Sequence, residues 1–174
     1  MAKALIVIDM QNDFITGPLG TPEAQAIVPK VKAKIEEYRE RLDSIFYTKD
    51  THYSNYLETS EGKKLPVEHC IVDTPGFYIA DGLYDGCYPM GEIINKETFG
   101  YFNWDIYALE FYDSIEIIGV CTDICVVSNA LIIKANFPES DITVDASCCA
   151  GTTPENHKAA LQVMECCQIN VIGE

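Results

Sequence analysis

Four polar side chains stand where an open α/β sheet would put its chemistry. Asp9 follows the apolar run 4–8, Asp50 follows 44–47, Lys96 follows 91–95, and Cys125 lies just past 115–120. Each run reads as a strand, and in open parallel sheets sites form outside the carboxyl ends of the strands. One crevice would then hold all four. Three of them make a nucleophile set: Cys125 attacks, Asp9 accepts its proton, and Lys96 stabilises the resulting charges. Cys125 sits in Gly119-Val120-Cys121-Thr122-Asp123-Ile124-Cys125-Val126, between a strand and the amphipathic stretch 126–135. Near a helix N-terminus, unpaired N–H groups and the helix dipole favour a thiolate and can hold a developing oxyanion. Each residue also has a plainer structural reading. A free cysteine is often simply buried, a strand-end aspartate can cap a loop, and a lysine can be a solvated charge.

A second constellation lies in the long loop. Asp50-Thr51-His52 gives D-x-H, and His69 follows. The chain has three histidines, so two in one acidic loop is informative. Asp/His mixtures bind zinc and other first-row metals. Glu58 and Glu61 are both candidates for a further ligand. The third histidine, His157, falls in a predicted helix and reads as a surface residue. A G-x-G-x-x-G motif and a P-loop are both absent, so no nucleotide cofactor is expected.

The elements that must position these groups follow from pattern. The 174 residues are 48% hydrophobic and 22% charged, a balance that suits one globular domain with a sizeable core. Strands are predicted at 4–8, 44–47, 91–95, 115–120, 142–144 (ending at Asp145) and 169–172. Helices are predicted from Thr21-Pro22-Glu23 to about Arg41, over 124–136, and from Thr153-Pro154-Glu155 to about Cys166. Both Thr-Pro-Glu starts combine an N-cap, a proline at the first helical position and an acid in the first turn. Residues 103–111 have helical spacing, and 51–85 reads as a long irregular segment, which in a compact domain is usually functional. Strands alternating with helices imply right-handed crossovers and a mostly parallel sheet. Strands apolar throughout fit a sheet covered on both faces.

Charge excludes some partners. A formal net charge of -15 argues against nucleic acid and anionic membrane surfaces. No run approaches a transmembrane length and nothing resembles a targeting segment. The eight cysteines (70, 87, 121, 125, 148, 149, 166 and 167) include two adjacent pairs and no C-x-x-C. They fit reduced thiols in a cytoplasmic protein better than a secreted disulfide framework.

The chain resembles the isochorismatase-like cysteine hydrolases, and within them the nicotinamidases. Four patches carry the likeness: residues 4–14 (ALIVIDMQNDF), Asn95-Lys96-Glu97-Thr98-Phe99, GVCTDICV at 119–126, and Asp50-x-His52 with PVEHC at 66–70. They span the chain in family order. The resemblance implies one α/β domain over 1–174, doubly wound, with about six mostly parallel strands and helices on both faces. It implies catalytic Asp9, Lys96 and Cys125. It implies a cis peptide between Val120 and Cys121 that aims the backbone N–H groups of Cys121 and Cys125 at the oxyanion. Asp50, His52 and His69 would be metal ligands, with Glu61 preferred over Glu58 as the fourth because it stands shortly before the second histidine. Zinc is the first choice of ion, with manganese or iron as alternatives. Family members commonly self-associate, so a homo-oligomer is expected.

Departures bear on the substrate. Many nicotinamidases carry an aromatic residue just before the second metal histidine, where this chain has Leu65-Pro66-Val67-Glu68. Ile124 replaces a residue that is polar in some relatives. Phe14, with Phe99, Tyr101 or Phe102, would supply the aromatic faces instead. The leading expectation is an amidohydrolase cleaving a small amide, nicotinamide first, through a Cys125 thioester. Another small amide, a ureido compound or an isochorismate-like substrate is the alternative within the family. A non-catalytic metal- or redox-responsive protein is the alternative outside it.

Overall fold

The computed structural model describes residues 2–86 and 91–173. Cys87 lies outside the described residues. Six strands form one sheet: β1 (Lys3–Ile8), β2 (Ser44–Asp50), β3 (Gly91–Lys96), β4 (Ser114–Val120), β5 (Ile142–Ala150) and β6 (Asn170–Ile172). Their order is β3-β2-β1-β4-β5-β6, and every adjacent pair is parallel. This is the doubly wound α/β sheet expected. The winding reverses between β1 and β4, so a crevice opens beyond their carboxyl ends, where such folds bind ligands.

Among the described residues four α-helices accompany the sheet: α1 (Asn12–Ile15), α2 (Pro22–Glu40), α3 (Val127–Asn136) and α4 (Pro154–Cys166). The pleat sends alternate side chains of β1 to opposite layers. Leu5 and Val7 join Val31 and Ile35 of α2, while Ala4, Ile6 and Ile8 join Ile133 of α3 and Met164 of α4. Val31 and Ile35 are fully buried, which for aliphatic side chains stabilises by about 1.5–3 kcal/mol each. That packing carries α2 through Pro29, which lacks one helical N–H. Both Thr-Pro starts form as expected: Thr21 Oγ1 accepts from the Ala24 N–H at 3.0 Å, and Thr153 Oγ1 from that of Asn156 at 3.1 Å.

Three elements differ from the sequence reading. β5 continues to Ala150 rather than stopping at Val144. Its polar residue Asp145 is tied to Ser147 and to Lys34 of α2, and Cys148 and Ala150 pack against the α2 layer. Residues 103–111 form two short 3-10 turns instead of one helix, broken by Ala108 at φ +51°. The helix expected over 124–136 begins with a wide π-type turn, Thr122–Val126, and becomes α-helical at Val127. That turn carries Cys125.

Candidate active site

Asp9 ends β1 at φ +48°, a left-handed conformation that aspartate tolerates better than most residues. It is fully buried. Thr48 of β2 donates its hydroxyl to Asp9 Oδ1 at 2.6 Å, and the Asp9 N–H points back to the same residue. Lys96, at the end of β3, brings its ammonium 2.6 Å from Asp9 Oδ2 and 3.8 Å from Asp50 Oδ1. The same ammonium donates to Cys125 Sγ at 3.6 Å. Four strand ends thus converge on one buried ionic cluster, and the peptide between Val120 and Cys121 is cis. Gly119 permits the convergence. It pairs with Ile8 at φ +121°, and a Cβ there would fall onto the Ile8 carbonyl oxygen.

The electrostatics bear on one expectation. The turn at a helix start was expected to favour a Cys125 thiolate. Burial instead pushes the thiol well above its usual range, with Asp9 adding to the rise and Lys96 opposing it. Burial also raises Asp9, against the pull of Lys96. Burial alone would lower the Lys96 ammonium, but Asp9, Cys125 and Asp50 together drive it upward. Burial thus disfavours charge on both Asp9 and Cys125, and the Lys96 ammonium between them opposes that effect at each.

Beside this cluster stand Asp50, His52 and His69, all buried, with ligand atoms within 4.8 Å of one another. His52 Nε2 lies 2.9 Å, and His69 Nε2 3.4 Å, from Asp50 Oδ2. Glu61 Oε1 is 3.6 and 3.7 Å from the same two nitrogens, whereas Glu58 is exposed. His69 donates its Nδ1–H to the Val67 carbonyl at 2.8 Å, which leaves Nε2 as the ligating nitrogen. His52 Nε2 is buried without a hydrogen-bond partner among the described residues, although it faces two carboxylates. A cation would satisfy that nitrogen, and two imidazoles with two carboxylates suit a first-row divalent ion. The residues present therefore fit a metal. Burial would raise the Asp50 carboxyl, but the two imidazoles and Lys96 hold it well below the usual range.

A cavity of about 350 Å³ opens onto both groups. Its walls include Phe14, Leu19, Leu65, Phe99 and Ile124, with Cys121 and Cys125 at its floor and Asp50, Glu61 and His69 at one side. Of the four aromatic residues expected to face the substrate, Phe14 and Phe99 line this cavity. Tyr101 packs on Trp104 in the α3 layer, with ring centroids 5.4 Å apart, and Phe102 points to solvent with 76% of its surface exposed. A more open cavity of about 450 Å³ lies by Lys3 and Ser44, at the amino ends of the strands, and holds none of this chemistry.

Several positioning residues escaped the sequence reading. Gln11 is fully buried; its side chain accepts from the Asp50 N–H at 2.7 Å and donates to the Asp50 carbonyl at 2.9 Å. Tyr56 packs on both imidazoles, 4.7 Å from the ring of His52 and 5.0 Å from that of His69. Asn129 donates to the Cys125 carbonyl at 2.8 Å and accepts from Tyr101 N–H and Trp104 Nε1–H at 2.9 and 3.1 Å. It ties the 99–104 loop to the turn that carries Cys125. His157 is not a plain surface residue: it is half-buried and shares a 2.8 Å hydrogen bond with Thr122 Oγ1. Gln11 lay inside the ALIVIDMQNDF patch, a local signal of sorts. Asn129 and Tyr56 each reach one site residue four positions away, Cys125 and His52, but their remaining contacts to the site are long-range.

Comparison with known proteins bears on family and fold. The Isochorismatase domain family model matches residues 3–173. A nicotinamidase/pyrazinamidase of Mycobacterium tuberculosis is 25% identical over 189 aligned residues, covering 98% of each chain. The crystal structure of a pyrazinamidase of Pyrococcus horikoshii in complex with zinc superposes with a TM-score of 0.86 at 28% identity, covering 100% of both chains. A pyrazinamidase/nicotinamidase from Streptococcus mutans gives 0.87 at 28% identity, covering 98% of this chain and 100% of that one.

Proposed function

This chain belongs to the isochorismatase family, and from that membership and the site geometry we propose that it is a cysteine amidohydrolase acting on a small amide, nicotinamide first. The observation that supports the reading best is the buried line of Asp9, Lys96 and Cys125, 2.6 and 3.6 Å apart, whose cysteine lines an apolar cavity. Asp9 takes the proton from Cys125 Sγ, and the sulfur attacks the amide carbonyl carbon. The carbonyl oxygen becomes an oxyanion facing the backbone N–H groups of Cys121 and Cys125. As the C–N bond breaks, Asp9 returns the proton to the leaving nitrogen, releasing ammonia and leaving a thioester. Water then attacks the thioester carbon, Asp9 accepts its proton, and the thiol departs reprotonated. Lys96 stays cationic throughout and offsets the negative charge as it moves between Asp9 and Cys125.

Asp50, His52, Glu61 and His69 would hold a divalent ion, zinc before manganese or iron. Such an ion supplies a Lewis-acidic partner for a ring nitrogen or a water. The chain's own contribution to ring binding is the pair Phe14 and Phe99, whose faces suit a flat ring. Leu65 stands where an aromatic wall was missing, which loosens the fit by about 0.5–1.5 kcal/mol for one lost stacking contact. That same feature favours a second reading, a different small amide or ureido compound. Hydrolysis of nicotinamide would assign the chain to NAD salvage. Cytoplasmic placement rests on the free thiols, and self-association on the resemblance. Among the described residues no helix is long and apolar enough to cross a membrane.

Ammonia release from a panel of amides tests the reading. Nicotinamide should be hydrolysed in preference to benzamide, which has the same shape without the ring nitrogen, and the preference should vanish on metal removal. Equal cleavage of the two would refute the role of the metal in ring recognition. Cleavage of an aliphatic or ureido amide alone would replace nicotinamide as the substrate. No ammonia from any amide would refute the amidase.

A further inference from the structure

The proposed ligand set is divided between the linings of two cavities that share Glu61. The cavity containing Cys125 reaches it from one side, through Asp50, Glu61 and His69. A separate cavity of about 340 Å³ reaches it from the other, through His52 and Glu61. The two differ in chemistry. Phe14, Leu19, Leu65, Phe99 and Ile124 dominate the first. The second is the more polar of the two: Thr51, Asn55, Thr59 and Ser60 share it with the rings of Tyr53 and Tyr56, and the exposed residue Glu97 also lines it. Tyr53 donates its hydroxyl to Glu97 Oε1 at 3.4 Å. The buried His52, whose Nε2 lacks a hydrogen-bond partner among the described residues, lies on this polar side.

We propose that the polar cavity is the path by which a hydrated divalent cation reaches and leaves this ligand set, separate from the cavity that admits substrate. The inference rests on the reading of Asp50, His52, Glu61 and His69 as metal ligands. A hydrated cation arrives with its waters, and stripping them in an apolar passage is costly. Hydroxyl, amide and carboxylate oxygens replace those waters stepwise on the polar side. The net charge of -15 and the Glu97 carboxylate raise the local cation concentration at that mouth. With separate routes, a substrate seated over Cys125 need not leave for the ion to exchange.

The test uses the full chain and zinc as the probe. Elemental analysis first gives the zinc bound per chain; release to excess chromogenic chelator and re-uptake are then timed. Ser60→Trp, a substitution at an exposed position of the polar lining, is expected to slow both. Leu19→Trp narrows the apolar cavity and is expected to leave zinc exchange at the wild-type rate. Glu97→Gln keeps the shape and removes the charge, and should slow uptake by about threefold to tenfold at low salt, a difference that fades at high salt. Slower exchange in Leu19→Trp, or wild-type exchange in Ser60→Trp, overturns the proposal. If Ser60→Trp fails to fold, Glu97→Gln decides: salt-dependent slowing supports the route, and wild-type uptake overturns it. A wild-type chain that binds no zinc refutes the metal site itself, and the stoichiometry separates that failure from a failure of the route.

Discussion

Gly119→Ala should damage both stability and activity, although residue 119 touches no substrate. Two costs arise. The first is conformational: φ +121° is rarely open to a residue with a side chain, and such strain costs about 1–3 kcal/mol. The second is steric. The added Cβ would overlap the Ile8 carbonyl oxygen and sit 2.8 Å from the Ile8 nitrogen, both backbone atoms of the adjacent strand. Side-chain adjustment cannot relieve that contact, so β1 and β4 must part where they pair at Ile8 and Gly119. Asp9 follows Ile8 directly, so it moves with the strand end. A misplacement of about 1 Å can reduce turnover by about a hundredfold. With about 1–3 kcal/mol for the overlap, as for other overpacked sites, the total of about 2–6 kcal/mol, at roughly 2–4 °C per kcal/mol for a domain of this size, lowers the melting temperature by about 4–24 °C. Gly82→Ala is the control: its φ is +80°, but its Cβ would meet only the flexible Lys32 side chain, at 3.4 Å or more. It shares the conformational cost and lacks the backbone overlap. Calorimetry of both variants, with ammonia release over a range of substrate concentrations, separates the two costs. If Gly119→Ala melts no lower than Gly82→Ala and keeps kcat/KM within about tenfold of wild type, the coupling of strand approach to Asp9 is refuted.

Three further outcomes are expected. Cys125→Ala should abolish turnover and stoichiometric active-site labelling, whereas Cys121→Ala should keep labelling, since only the backbone of Cys121 is invoked; loss in the second alone reverses the assignment. Asn129→Leu strands the Cys125 carbonyl, the Tyr101 N–H and the Trp104 indole N–H, and at about 1–3 kcal/mol for each buried unpaired group it should destabilise more than substitution of an exposed asparagine such as Asn156; equal urea midpoints for the two would contradict this. Acid stability should depend on Asp145, where burial pushes the carboxyl up but Ser147 and Lys34 hold it below its usual range. A depressed folded pKa gives stability that is fully present above the unfolded value of about 3.9 and is lost as pH falls through the folded one. Ser147→Ala should therefore flatten the fall in urea midpoint below about pH 4, and an unchanged profile would show that the Ser147 hydroxyl contributes nothing.

Much of this protein is legible in its sequence, because the relevant signals are local. Short apolar runs ending in a charge marked the strands and set Asp9, Lys96 and Asp50 at their carboxyl ends. Two Thr-Pro-Glu starts marked α2 and α4, since capping needs only neighbours in the chain. The D-x-H and PVEHC segments placed the metal-ligand candidates. Tertiary structure alone decided the rest. Two acids stood within reach of the metal loop; the family resemblance favoured Glu61 over Glu58, and the folded loop supplies the distances, with Glu61 3.6 and 3.7 Å from the two imidazoles. Four aromatic residues were eligible to face the substrate; in the fold Phe14 and Phe99 line the cavity, while Tyr101 is half-buried against Trp104 and Phe102 is exposed. Gln11 and Asn129 act through bonds to residues 39, 66, 28 and 25 positions away, which no local pattern encodes. The surroundings of Cys125 were also beyond the sequence: position at a helix start argues for a thiolate, whereas burial beside Asp9 works against one and Lys96 works for it.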